Sequence, residues 1–99
     1  MALYVVTAVR FDKEGEVELV RWARADGAAN RLEEQFHDVD VNRVVEAFDR
    51  GDIVELRFET SHGWVSGGRL LRKVLPAGIE NVVEERGGEG RTLHDMPTF

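Results

Sequence analysis

The sequence predicts a single α+β domain over residues 1–99, built on a mostly antiparallel sheet of about five strands. We expect the elements in the order β-β-α-β-β-β, with one main helix packed on one face of the sheet. Three observations indicate this class: two alternating stretches that each break at a three-residue turn ending in glycine, one amphipathic stripe between them, and a length of 99 residues that fits one domain.

Residues 3–11 and 16–24 form the first predicted hairpin, because apolar and polar positions alternate in both. The turn between them ends in Gly15, which can adopt a left-handed conformation without steric cost. A three-residue loop sets the register of the two strands. It pairs Phe11 with Val17, Arg10 with Glu18, Val9 with Leu19, Ala8 with Val20 and Val6 with Trp22.

Residues 25–38 show no clean period, so we predict a loop there. The next segment has the strongest pattern in the chain, a helix over 41–50 with Asp40 as its N-cap and Gly51 as its stop. Its apolar positions recur at helical spacing on one stripe: Val41, Val44, Val45 and Phe48.

The second predicted hairpin contains the stretch TSHGWVSGG, 60–68, which resembles an active-site loop. A turn of Ser61, His62 and Gly63 pairs Thr60 with Trp64 and Phe58 with Ser66, and it requires a positive φ at Gly63. Gly67 and Gly68 indicate a bulge or a close approach of another element. A fifth strand is expected over 78–86, and residues 87–99 read as a glycine turn followed by an extended tail.

The glycines of this stretch do not make a phosphate-binding loop. In GWVSGGRL, Arg69 and Leu70 stand where such a loop needs Lys and then Ser or Thr. We therefore interpret the stretch as a structural hairpin.

Composition excludes several classes of function. The chain has no cysteine, so it has neither disulfides nor thiolate metal ligands. The N-terminus shows neither a signal peptide nor a membrane span, and a cytoplasmic location is expected. With a net charge of −6, duplex nucleic acid is not an expected partner, since the one cationic cluster is Arg69, Arg72 and Lys73.

Four residues are the candidates for a surface or ligand site: His62, Trp64, His94 and Asp95. We predict no metal, because His37, Asp38 and Asp40 could offer only a loose oxygen-rich cluster, and Asp40 is better used as a cap. We predict no cofactor either, because no fingerprint motif is present. We expect a non-catalytic module that binds a protein or a small molecule; the alternative is a small enzyme with a His/Asp site at the sheet rim.

Both faces of the predicted sheet are apolar in the middle, whereas one short helix can cover only one. Two candidates could cover the other face. One is the C-terminal tail, through Leu93, Met96, Pro97 and Phe99, and the other is a second copy of the chain in a homodimer. We expect the tail to cross the sheet and a dimer contact to complete the cover.

The stretches VTAVRFD (6–12), VELVRW (17–22), VVEAFDRGDIVEL (44–56) and GRTLHDMPTF (90–99) resemble a family of small bacterial proteins, domain of unknown function 3892. The middle hairpin has no counterpart in this resemblance. The resemblance implies a compact cytoplasmic domain and transfers no catalytic residue.

Overall fold

The structure is a computed structural model that describes residues 1–29, 31–85 and 91–99. Seven strands and one α-helix lie within these ranges. The strands are β1 (Leu3–Phe11), β2 (Val17–Asp26), β3 (Arg31–Leu32), β4 (His37–Asp40), β5 (Ile53–Thr60), β6 (Gly63–Val74) and β7 (Glu80–Glu84). The helix is α1 (Val41–Asp49), and short 3₁₀ turns occupy Pro76–Gly78 and Leu93–Asp95.

The strands form one sheet in the order β3-β2-β1-β5-β6-β7, and β4 also pairs with β2. All pairs between named strands are antiparallel except β1 with β5, which is parallel. The parallel pair is reached through β4 and α1, since parallel neighbours need a crossover. The predicted α+β class and mostly antiparallel sheet are therefore confirmed, whereas the count of five strands is too low.

The extra strands, β3 and β4, lie in or overlap the segment that the sequence predicted as a loop, so that prediction is wrong. Leu19 to Trp22 of β2 pair with β4, and Ala25 and Asp26 pair with β3. Nearly all side chains of β3 and β4 are exposed. Such short strands carry no periodic signal, because they form by hydrogen bonding to the edge of β2 rather than by burying one face.

Helix α1 is confirmed to within a residue. Asp40 caps it, its Oδ1 accepting a hydrogen bond from the backbone N–H of Asn42 at 2.8 Å, and Gly51 follows the helix with a φ of +80°. The buried positions are Val41, Val44, Val45 and Ala47, and Phe48 is half-buried.

The register of the first hairpin matches the prediction at its two ends and differs between them. Phe11 pairs with Val17 and Val6 with Trp22, as expected, but Val9 pairs with Val20 rather than Leu19. Thr7 in β1 and Glu18 in β2 are both skipped in the pairing. One extra residue on each strand makes two opposed bulges whose register shifts cancel, which an alternation pattern does not show.

The second hairpin turns one residue earlier than predicted. Thr60 pairs with Gly63, so Trp64 stands opposite Glu59 and not opposite Thr60. A shift of one residue moves a side chain to the other face of a sheet, and Trp64 accordingly lies on the face opposite α1. The predicted bulge is present, because Gly67 is skipped in the pairing and Leu56 then meets Gly68 as expected.

Both glycine roles predicted in this hairpin are confirmed. Gly63 has a φ of +107°. A Cβ on Gly67 would lie 2.3 Å from Cε2 of Phe58, so the bulge is also a close approach.

The main core lies between the sheet and α1. Leu56, Val6, Val9 and Val20 are fully buried there. The β6–β7 hairpin lies close to β2, since the side-chain amide of Asn81 donates to the carbonyl of Val17 at 3.0 Å. The packed layer between the sheet and α1 is called here the helix-side core.

The C-terminal tail divides between the two faces of the sheet. Leu93 and Met96 are buried in the helix-side core, so the expectation that they cover the other face is wrong. The tail then pairs with β1 through a parallel bridge of Thr98 with Val9. Only after this bridge does Phe99 reach the other face, where its ring lies 4.3 Å from the guanidinium carbon of Arg21. The predicted glycine turn, 87–90, lies outside the described residues.

Candidate functional site

The face of the sheet opposite α1, called here the second face, is covered from within the chain. Val5, Ala23 and Ala25 are only 2%, 0% and 8% exposed. Four residues between β2 and β4 lie beside this part of the sheet: Gly27, Arg31, Leu32 and Phe36. A Cβ added at Gly27 would lie 3.2 Å from Cδ2 of Leu3. Because the side chains of the sheet are small here, they leave a space between the sheet and these residues.

The space left is a cavity of about 350 Å³, called here the second-face cavity. Its apolar lining comes from Val5 of β1, Ala25 of β2, Leu32 of β3 and Phe36, which precedes β4. Trp64 of β6 closes one side. This volume lies within the range of small-molecule sites, which are concave and mainly apolar.

Charged groups also line the cavity: Arg31, Arg57 and Asp26. Arg57 is held by Glu55, whose Oε1 accepts from Nε at 3.2 Å. Glu55 does not line the cavity, so this contact holds the guanidinium from outside the lining. The carboxylate of Asp26 accepts the backbone N–H of Ala29 at 3.1 Å, which makes it part of a turn.

Trp64 is the one candidate from the sequence that lies at this cavity. Its side chain is 53% exposed. The earlier turn of the second hairpin places it there, beside Arg57, whose partner on β6 is Ser66. An exposed tryptophan next to a guanidinium is a pairing common in ligand and protein contact sites.

The other three candidates lie elsewhere. His62 sits in the exposed turn, where its backbone N–H donates to Oγ1 of Thr60 at 3.1 Å. His94 stacks on Phe11 with ring centroids 4.8 Å apart.

Asp95 does not act as a partner of the His94 ring. Its carboxylate accepts from the backbone N–H of Thr92 at 2.9 Å and from the hydroxyl at 2.7 Å. The backbone hydrogen bond is the main cause that holds the pKa of Asp95 below its ordinary value. The two neighbours in sequence thus serve separate local contacts.

The histidine and aspartates of 37–40 also point to different partners. His37 accepts the indole N–H of Trp22 at 3.3 Å, Asp38 pairs with Arg21 at 2.8 Å, and Asp40 caps α1. Across the described ranges, no three His, Asp or Glu side chains are grouped to hold a metal ion.

Sequence reasoning missed Arg57, Phe36 and Arg31 as site residues. Arg57 has an ordinary polar position in an alternating strand, and the other two belong to the segment read as a loop. The usable signal was weak: Leu32 and Phe36 are the two large apolar residues between β2 and β4, which favours their contact with the domain.

The chain matches no family model, no curated protein and no solved structure. Among the residues described, none of the helical structure is long and apolar enough to cross a membrane.

Proposed function

We propose that the protein is a non-catalytic binding module whose ligand site is the second-face cavity. The observation that carries this proposal is the cavity itself, with aromatic walls from Trp64 and Phe36 and a guanidinium from Arg57. A concave apolar site with a few polar groups is the usual form of a small-molecule site. The competing hypothesis of a His/Asp enzyme has less support, because the carboxylate of Asp95 is engaged by Thr92.

The test is a screen of small fragments by amide and indole nuclear magnetic resonance on the whole chain. Bound fragments should shift the signals of Val5, Arg57 and Trp64, which lie around the cavity, and leave Val44 of the helix unchanged. Ala25→Leu extends an apolar side chain into the cavity and should abolish these shifts. The matched control is Ala28→Leu, at an exposed position that does not line the cavity. Fragments that bind elsewhere, or none that bind, contradict the proposal.

Duplex nucleic acid is proposed not to be a partner, and the ion pairs of the cationic cluster support this. Arg72 pairs with Asp49 and Glu80, and Lys73 pairs with Glu16. Cations that are already paired have less to gain by replacing counterions on phosphates. A titration with duplex DNA at about 150 mM salt should show no sub-micromolar binding.

A homodimer through the second face stays a proposal with a smaller surface than the sequence suggested. Ala8, Ala23 and Ala25 are buried within one chain. The large apolar side chains that stay exposed on this face include Leu32, Trp64 and Leu71. A stable interface usually buries roughly 1,200–2,000 Å². We therefore expect self-association to be weak, with monomer predominating in sedimentation velocity at micromolar concentration.

The cytoplasm of a bacterium is the proposed setting. It follows from the resemblance to domain of unknown function 3892 and from the absence of cysteine. Fractionation of the native host, with the protein detected by antibody, tests the compartment.

A further inference from the structure

We infer that the second-face cavity selects a small monocarboxylate with an apolar, planar body. This inference rests on the proposed function and specifies the ligand class of the same site. It follows from three features of the cavity: its charge, the shape of its walls and its size.

Two guanidinium groups line the cavity against one carboxylate, which favours an anion. They belong to Arg31 and Arg57, and the carboxylate belongs to Asp26. Glu55 pairs with Arg57 from outside the lining and through Nε alone, so an anion would contact Arg57 through its Nη groups. The carboxylate of Asp26 is already occupied by the backbone N–H of Ala29. Although Arg31 faces Asp26 across the strands, the two form no ion pair.

The hydrogen-bonding capacity of Arg57 points to a carboxylate. Its Nε donates to Glu55, and its two Nη groups have no acceptor among the described residues. A guanidinium held in this way has little freedom left to lose, and its planar fork matches the two oxygens of a carboxylate. Its side chain is 27% exposed, so the contact forms at a partly dehydrated position, where charge-assisted hydrogen bonds are stronger.

The walls and the size define the rest of the ligand. Trp64 and Phe36 offer flat aromatic surfaces, and Val5 and Ala25 form an apolar floor, to which Thr7 adds one hydroxyl. A volume of about 350 Å³ corresponds to about a dozen non-hydrogen atoms if each takes roughly the volume of a water molecule. A single aromatic ring with a short carboxylate arm fits this space.

The test compares three probes of nearly equal size: 3-phenylpropanoate, its amide and 3-phenylpropylamine. Each is titrated into the whole chain while the two tryptophan indole N–H signals are followed. We expect 3-phenylpropanoate to shift the Trp64 signal and to bind at least about tenfold more tightly than the amide, the difference expected from one charge-assisted hydrogen bond. Trp22 is 3% exposed on the other face, so its signal is an internal control that should not move.

Variants locate the carboxylate contact. Arg57→Gln should weaken 3-phenylpropanoate binding about tenfold or more and leave amide binding nearly unchanged. Arg57→Lys keeps the charge but loses the fork, and it should fall between the two. Arg31→Gln, in β3, gives a second readout if Arg57 variants fold poorly. Arg43→Gln removes an exposed charge from α1 and is the control that should bind like the parent chain.

The outcomes separate the ligand class from the binding function. If the amide or the amine binds at Trp64 as tightly as the carboxylate, the carboxylate inference is wrong and the binding module stands. If 3-phenylpropanoate binds with equal affinity to Arg57→Gln, the assignment of the contact is overturned. If none of the three probes shifts the Trp64 signal, the carboxylate inference fails, and the fragment screen decides separately whether the cavity binds any ligand.

Discussion

The two faces of one sheet are built in opposite ways. On the helix side, large apolar side chains from α1 and the strands fill the space, and Leu56, Val6 and Val44 are 0% exposed. On the second face, small side chains such as Ala23 and Ala25 meet a loop, and a cavity remains between them. The difference is a division between a closely packed face, which supplies stability, and a face with a cavity, where we propose that a ligand binds.

The largest expected effect tests this division directly. Leu56→Ala removes a fully buried side chain from the helix-side core. It should lower the free energy of unfolding by about 2–5 kcal/mol. Leu32→Ala, at a side chain 46% exposed beside the cavity, should stay within about 0.5 kcal/mol. Urea unfolding of both variants provides the measurement, and similar losses would contradict the division.

A substitution of Asn81 tests whether its buried hydrogen bonds, one of which joins β7 to β2, stabilise the helix-side core. Its side chain is 4% exposed; its amide donates to the carbonyl of Val17, and its carbonyl accepts the N–H of Val82 at 2.9 Å. Asn81→Ala leaves two buried groups without partners, and each costs about 1–3 kcal/mol. We expect a loss of about 2–6 kcal/mol in urea unfolding. Asn42→Ala, at an exposed position of α1, is the control. An equal effect of the two substitutions would show that the hydrogen bonds of Asn81 add no stability.

Gly67 and Gly63 separate crowding from backbone strain in the same strand. Gly67→Ala brings a Cβ against the ring of Phe58 and should cost about 1–3 kcal/mol. Gly63→Ala meets no atom within 4 Å, but its positive φ should cost about 1 kcal/mol. Thermal unfolding checks both, and an unchanged melting temperature for either variant refutes the reason given for it.

The smallest expected effect on stability is that of replacing Asp52, which precedes β5 and forms a hydrogen bond with Ala2, the residue before β1. Its carboxylate accepts the backbone N–H of Ala2 at 2.9 Å and the Nε–H of Arg50 at 3.1 Å. The contact with Ala2 is the main cause that lowers the pKa of Asp52. A lowered pKa in the folded state means that this stability is complete above the unfolded pKa, about 3.9, and is lost as the pH falls through the folded value.

Asp52→Asn should therefore lower the melting temperature at neutral pH, and its deficit should shrink below about pH 4. Melting temperatures of both chains between neutral and acidic pH give the result. A deficit that stays constant over this range would show that the charge of Asp52 does not contribute.

The second hairpin shows where a pattern in the sequence stops being informative. The alternation of β5 correctly places Val54 and Leu56 in the core. The pattern places the glycine after Ser61 and His62 at the end of the turn, but it begins β6. The residues between it and the bulge at Gly67 therefore change faces. Trp64 was thus named as a candidate from its residue type, while its position beside Arg57 was not predictable without the register.

The sequence by itself determined the elements whose pattern is local. Helix α1 follows from the spacing of Val41, Val44, Val45 and Phe48 and from the cap at Asp40, because a helix forms contacts within a few residues along the chain. The central strands follow from alternation in the same way.

Only the tertiary structure decided the parallel pair of β1 with β5, the strands β3 and β4, and the second-face cavity. The pairing of β1 with β5 joins segments such as Leu3 and Ile53 that are far apart in sequence. The cavity brings together Phe36, Arg57 and Trp64 from three separate segments. Contacts of this kind are chosen by the free energy of the whole packed domain, in which each pairing competes with all others, so no short window of sequence contains them.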